Sequence, residues 1–265
     1  MAVVTGHLFD RIGATYSATR KADVRIVYAL ERMLAQHRGR IIADIGAGTG
    51  NYSCALAERG YVVKAVEPSD AMRRQTGDCP NVEWVGGVAE EIPLDDGSVH
   101  GVISTLAIHH FADLKRAFRE MARITAGPIV LFTFDPRAGK ETWISDYFPT
   151  IWDDAFNVFP PIEDIADLLA VTSGRQVVLE PFMVPHDVTD NFAAAGWRNP
   201  HLYLDPKNRA NMSPFRLADQ DVIAEGVARF AEDLRSGKWE RERGDILLLQ
   251  EIDAGYRFVK AAKMT

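Results

Sequence analysis

The sequence predicts an α/β fold: a doubly wound, mostly parallel seven-stranded sheet with an α-helical insertion between its last two strands. Three observations carry the prediction. Short β-branched or continuously apolar runs, such as Ile41 to Ile45, Val62 to Val66 and Ile129 to Phe134, alternate with stretches whose apolar residues recur every three or four positions. The first run passes into a helix through Gly46, Gly48 and Gly50, where missing side chains let the backbone bend tightly and a ligand approach it. The second run ends in an acid, Glu67, at the strand end where a βαβ unit presents groups to a bound nucleoside.

Taken in order, residues 1–39 form an N-terminal segment and a helix. Val24, Val27, Leu30 and Leu34 repeat at helical spacing between Ala22 and His37, and Gly39 ends the pattern. Residues 40–184 form the core. After the glycine turn, a helix over Asn51 to Glu58 closes at Gly60, and its unpaired N–H groups and positive dipole end point back into the turn. Ser69 is a predicted N-cap for the helix that follows Glu67. Val82 to Val85 and Gly101 to Leu106 read as the third and fourth strands. A helix marked by Leu114, Ala117, Phe118 and Met121 precedes the fifth, Ile129 to Phe134.

Beyond these, Trp143, Tyr147, Phe148, Trp152, Phe156 and Phe159 form the densest aromatic stretch, with helical spacing. Ile165, Leu168 and Leu169 mark a helix stopped by Gly174, and Gln176 to Val184 is the sixth strand. Residues 185–254 are the insertion, with helices expected near Val188–Trp197 and from about Asp219 to Arg235. Residues 255–265 supply the final, antiparallel strand.

The segment Asp44 to Gly50 reads D-x-G-x-G-x-G. Its third glycine comes one residue too early for a dinucleotide fingerprint, which would place Gly where Asn51 stands. The segment resembles the first motif of class I S-adenosylmethionine-dependent methyltransferases, in particular the small-molecule, type 11-like methyltransferase domains with a Rossmann-like sheet. The resemblance implies S-adenosyl-L-methionine as cofactor. It places the amino-acid carboxylate in the turn of Gly46, Gly48 and Gly50, the ammonium near Asp44, and the ribose hydroxyls on Glu67 beside Pro68. Met72 would pack on the adenine or belong to the core. Val88-Ala89-Glu90 resembles the adenine-binding motif, with Val88 where the family usually has Asp, so that the Ala89 N–H and Glu90 remain as contacts. Thr105 ends the fourth strand at the cofactor's edge. Tyr16 and Arg20 would fold over the site, Arg20 on the carboxylate.

His109 and His110 follow the fourth strand at the edge that should face the transferable methyl, and are candidate bases or acceptor contacts; a packing role is the alternative. Trp143, Tyr147 and Trp152 are either a packed helical lid or an apolar wall for an acceptor. Trp197 and Arg198 mix aromatic and cationic character suited to a small anionic acceptor, or belong to a helical cap or dimer surface.

A net charge of −7 and a pI near 5.5, with no basic stripe, argue against a nucleic-acid partner. No apolar run reaches the roughly 18 residues of a membrane span. Cys54 and Cys79 are too few for a metal cluster and read as buried thiols of a reducing, cytoplasmic compartment, with no metal expected. The expected activity is methyl transfer to a small-molecule acceptor by in-line displacement, in a monomer or homodimer. A cofactor-binding protein without methyl transfer and a nicotinamide-dependent oxidoreductase are the alternatives, the latter disfavoured by Asn51.

Overall fold

The computed structural model describes residues 20–35, 40–75, 77–152 and 159–263. Tyr16 and Phe156 lie outside them. Strands β1 (Ile41–Ile45), β2 (Val62–Val66), β3 (Val82–Val85), β4 (Gly101–Thr105), β5 (Ile129–Phe134), β6 (Gln176–Pro181) and β9 (Tyr256–Ala262) form one sheet in the order β3-β2-β1-β4-β5-β9-β6. All neighbours among β1 to β5 pair in parallel, and β9 runs antiparallel to both β5 and β6. The chain moves outward from β1 to β3 and then returns to place β4 on the other side of β1. That reversal opens a crevice at the carboxyl ends of the strands, where sheets of this kind bind ligands.

Residue type follows position in the sheet. Every residue of β5 is buried, as is all of β1 except Ile41, because helices cover both faces of these central strands. The edge strand β6 has no fully buried residue, only exposed and partly buried ones. Successive residues point to opposite faces: Ile42, Ile103, Val130 and Phe132 join the core beneath helices α1 (Val24–Leu34) and α2 (Asn51–Ala57). Ala43, Ile45, Val102, Ile129 and Leu131 join a second core beneath α4 (Leu114–Ile124) and α7 (Ile162–Ser173), whose capping residue Gly174 is left-handed. Between these helices lie the short α3 (Asp70–Arg73), α5 (Pro136–Gly139) and α6 (Ile144–Tyr147). Ser69 caps α3, its hydroxyl accepting from the Met72 N–H at 3.3 Å.

The connection between β6 and β9 carries α8 (Pro206–Ala210), α9 (Ser213–Leu217), α10 (Gln220–Arg235) and α11 (Lys238–Arg243). It is closed at its base by a short ladder between β7 (Val184–Pro185) and β8 (Glu251–Ile252). Several details differ from the sequence reading. The sixth strand stops at Pro181, residues 188–198 form turns instead of a helix, and Val24 faces solvent at 54% exposure while Ile26 takes its place in the core. Cys54 and Cys79 are not free thiols: they are paired with each other across 5.8 Å between Cα atoms, joining α2 to the chain before β3.

Candidate active site

The parallel registers bring Ile45 beside Val66 and Asp44 beside Ile103, so the residues just beyond β1, β2 and β4 share one edge. A cavity of about 750 Å³ opens there, within the range of small-molecule and cofactor sites. Its floor is the turn Gly46 to Thr49. Gly46 and Gly48 have φ of +74° and +59°, which a side chain would strain, and the Gly46 backbone sits so close to Ala107 that a Cβ would fall 2.6 Å from that methyl. Around Gly48 the nearest atom to a notional Cβ is the Met72 methyl at 3.8 Å, so the position is open toward the cavity.

Glu67 is fixed at the rim. Its Oε2 accepts from the Gly48 N–H and its Oε1 from the Ser69 N–H, both at 2.9 Å, leaving one lone pair on each oxygen for another donor. Burial raises its pKa, while the two backbone bonds and Arg73 pull it back. Pro68, Met72, Val88, Ala89 and Thr105 line the same cavity. Glu90 also reaches it, but one carboxylate oxygen is engaged by the N–H groups of Ala112 and Asp113 at 2.6 and 3.1 Å, so it chiefly fastens the turn before α4.

Two expected contacts stand behind the wall. Gly50 is the left-handed N-cap of α2 and is not among the residues lining the cavity. Asp44 is 1% exposed and also does not line it; its Oδ2 accepts from the Ser53 hydroxyl at 2.6 Å and its Oδ1 has no partner. Burial pushes its pKa up to about 7, against the Ser53 bond and with Glu67's charge adding to the rise.

Arg20 lines the cavity, held by a contact that the sequence did not reveal. Its Nε and Nη2 both donate to the carboxylate of Asp190, the second at 3.1 Å, and the Tyr52 hydroxyl donates to the same Asp190 at 2.9 Å. The Asn51 amide donates to the Arg20 carbonyl at 2.9 Å. Asp190 comes from the insertion, 138 residues beyond Tyr52, in a turn with no motif to mark it. Tyr52 carries a positional hint, since it stands in the first turn of the helix that the glycines open.

A second, smaller cavity of about 90 Å³ shares Arg20, Leu106 and His110 with the first. Leu106 adopts φ of +51°, uncommon for a residue with a branched side chain, and is pinned there by its N–H donating to the Phe132 carbonyl at 2.7 Å. The turn 108–110 then places both histidines. His109 stacks on Phe159 with ring centres 4.5 Å apart, and its Nδ1 is buried with no hydrogen-bond partner. Burial holds both imidazoles neutral: His110 is lowered to about 4 and His109 well below its ordinary value, with His110 and Arg20 adding to the effect on His109.

The aromatic residues expected to line an acceptor site are elsewhere. Trp143, Tyr147, Trp152 and Trp197 are buried, and none lines either cavity. Their polar ends are satisfied internally: Trp143 Nε1 donates to the Trp197 carbonyl at 2.8 Å, Tyr147 to Asp233 at 2.9 Å, and Trp152 to Ser145 at 2.6 Å. Arg198 donates to the Leu249 carbonyl at 3.0 Å and reaches neither cavity. In their place the second cavity takes Ile151, Phe159, Phe192, Met212, Leu217 and Tyr256.

An open glycine turn, a helix end and a buried acid at the next strand, all beside the sheet's reversal, define a nucleoside-binding α/β protein. The methyltransferase-domain family model matches residues 43–127. Over 92% of the chain, the fold superposes with a TM-score of 0.88 on a crystal structure from Anabaena variabilis ATCC 29413, of a protein assigned as a methyltransferase of an antibiotic biosynthesis pathway. The two are 50% identical, and the match covers 99% of that chain. An uncharacterised methyltransferase of Mycobacterium tuberculosis is 32% identical over 166 residues, 60% of this chain; the match spans 65% of that relative's length. Phosphoethanolamine N-methyltransferase 2 of Haemonchus contortus, bound to S-adenosylhomocysteine, shares the fold at a TM-score of 0.58 and 16% identity, over 97% of this chain and 58% of that one. The chain belongs to the S-adenosylmethionine-dependent methyltransferase family, and S-adenosylmethionine is its cofactor.

The residues present suit that cofactor. The glycine turn is a cradle that a Cβ would fill, the Glu67 oxygens have lone pairs for two hydroxyls, and Arg20 offers a guanidinium for a carboxylate. Among the described residues no cluster of His, Cys, Asp or Glu could hold a metal ion, and no helix is long and apolar enough to cross a membrane.

Proposed function

We propose that this protein transfers a methyl group from S-adenosylmethionine to a small-molecule acceptor by in-line displacement, with release of S-adenosylhomocysteine. The observation that carries the reading is the meeting of the two cavities at Arg20, Leu106 and His110, beyond the carboxyl end of β4. Glu67 and the Gly46–Gly48 turn would hold the cofactor's ribose and amino-acid ends, with Arg20 on the carboxylate. When bound, the cofactor supplies a methyl on a sulfonium, a cationic centre whose departure as a neutral thioether is already favourable.

The chain's own contribution is alignment and exclusion of water. Positioning two reactants is worth about 7–11 kcal/mol, whereas a general base adds about 10²–10⁴ in rate. Leu106, held at its unusual φ, forms part of the partition across which the acceptor must reach. Burial keeps His109 and His110 uncharged and weakly basic, so their part is to contact the acceptor more than to draw off its proton. The net charge of −7 and the small, mostly apolar second cavity favour a small molecule over a nucleic acid as acceptor.

Calorimetry with S-adenosylhomocysteine and transfer of a tritiated methyl group into a pool of metabolites test the reading. Saturable binding with label passing into a small-molecule fraction is expected. Binding without any transfer would instead support a cofactor-binding protein, and absence of binding would remove the site assignment.

A further inference from the structure

Arg20, Leu106 and His110 line both cavities, and of these Arg20 alone is charged at neutral pH. A guanidinium on a long stem ordinarily samples many rotamers, and holding one of them costs entropy. Here several elements hold it. From the β6–β9 connection, Asp190 accepts with both oxygens, Oδ1 from Nε and Oδ2 from Nη2 at 3.1 Å, so two bonds along one edge fix the plane of the group. From α2, the Tyr52 hydroxyl donates to the same Oδ2 at 2.9 Å, and the Asn51 amide donates to the Arg20 carbonyl at 2.9 Å. Burial, with the charge of Asp190 next, raises the Tyr52 pKa well above its ordinary value, so the hydroxyl keeps its proton and stays a donor. Beside these, the Thr189 N–H donates to Asp23 Oδ2 at 2.9 Å, which fastens the connection to the N-cap of α1. A buried ion pair is a poor way to gain stability, because desolvation offsets the attraction, so a pair built with this much support into a cavity wall points to another use.

We propose that Asp190 and Tyr52 are positioning residues that aim the Arg20 guanidinium at the carboxylate of the cofactor's amino-acid end. Recognition of the methyl donor then depends on a residue of the β6–β9 connection, far from the glycine turn in sequence. This rests on the methyltransferase reading above and deepens it. The planar guanidinium donates from Nε and from both Nη atoms; Asp190 takes one N–H of Nε and one of Nη2, so turning the plane redirects the rest. Tyr52 acts one bond further back. By holding Asp190 Oδ2 from α2, it registers the pair against the helix that the glycines open. The turn that carries Asp190 also carries Phe192 and Ala193 of the second cavity, and the Phe192 N–H donates to the Asp190 carbonyl at 2.8 Å. One short segment therefore sets the aim of Arg20 and part of the wall beyond it.

Calorimetry with two ligands separates aiming from packing: S-adenosylhomocysteine, which carries the amino-acid end, and 5′-methylthioadenosine, which lacks it but keeps the nucleoside and the sulfur. Their affinity ratio measures recognition of that end alone. Asp190→Asn should lower the ratio about tenfold with methylthioadenosine affinity unchanged, and Asp190→Glu, which keeps the charge, should recover part of it. Tyr52→Phe removes one hydroxyl from a packed ring; it should lower the ratio about threefold, and it decides the matter if Asp190→Asn does not fold. In Arg20→Gln the ratio should be lowest, and adding Tyr52→Phe to that variant should move it no further, since Tyr52 acts only through Arg20. A ratio unmoved in Tyr52→Phe and Asp190→Asn, equal losses for both ligands, or a further loss in the double variant would each overturn the proposal. If neither ligand binds the unaltered protein, the methyltransferase reading falls and this one with it; if both bind and the ratio stays put in the variants, only the aiming role falls.

Discussion

Gly46 and Gly48 stand two residues apart in the same turn, yet an added methyl at each meets different surroundings, and that difference predicts which property each substitution damages. Both have positive φ, so Ala at either costs about 1–2 kcal/mol in backbone strain. At Gly46 the new Cβ would also fall 2.6 Å from the Ala107 methyl and 3.4 Å from the Phe111 ring, in a packed place where overfilling adds about 1–3 kcal/mol. Gly46→Ala should therefore lose about 2–5 kcal/mol of stability. At Gly48 the only neighbour within 4 Å among the described residues is the Met72 methyl at 3.8 Å, so Gly48→Ala should lose only the strain term. Its methyl would instead project into the space the cofactor must fill, and S-adenosylhomocysteine affinity should drop tenfold or more, about 1.4 kcal/mol. Urea denaturation monitored by tryptophan fluorescence, paired with calorimetric titration, separates the two effects. If Gly48→Ala bound normally, or if both variants lost stability equally, the assignment of the turn as the cofactor's floor would be wrong.

Three other perturbations follow from the buried charges. Asp190→Asn should destabilise the fold by about 3 kcal/mol, because it leaves Arg20 buried beside a neutral group; urea midpoints within about 1 kcal/mol of the parent would show that the pair carries little. Asp44 has a folded pKa of about 7 against 3.8 when free, so its contribution to stability is fully present below pH 3.8 and lost as pH rises through 7. Asp44→Asn, compared with the parent in cofactor-free protein, should be the more stable by up to about 4 kcal/mol at pH 8, with the gap closing by pH 4; a gap independent of pH would refute the shift. His110 is lowered to about 4, so its contribution is fully present above pH 6.5 and lost as pH falls toward 4, a swing of about 3 kcal/mol that His110→Asn should remove from the stability profile. For the same reason the acid limb of methyl transfer should begin below pH 5; a limb centred near 6.5 would mean that the imidazoles are not buried in the working enzyme.

How much of this could be read from the chain depended on whether the information was local. The glycine turn, Glu67 and the strand runs are contiguous patterns set by backbone geometry and period; the strands form where they were read, and the turn and Glu67 meet beyond the carboxyl ends of β1 and β2. Asp44 belongs to the same motif, but which side of the turn its carboxylate took was decided by Ser53, nine residues on. The aromatic residues at helical spacing were legible as an apolar face and ambiguous in purpose. Trp143, Tyr147 and Trp152 buried that face, and their N–H and O–H groups found internal partners. Asp190 and the second cavity's Ile151, Phe192, Met212 and Leu217 left no trace because they meet the site only through tertiary packing, across separations such as the 170 residues between Arg20 and Asp190. Tyr16 lies outside the described residues.

The second cavity draws Phe192, Met212 and Leu217 from one crossover between β6 and β9, while the first is built almost wholly from residues 46–111. The two cavities thus share Arg20, Leu106 and His110 but draw most of their remaining walls from separate stretches of the chain. A change in the crossover would reshape the second cavity while leaving the glycine turn and the sheet as they are. Asp190 is the exception that ties the halves together: any replacement loop must still bring an anion back to Arg20, and this sets a limit on which loops can be swapped in.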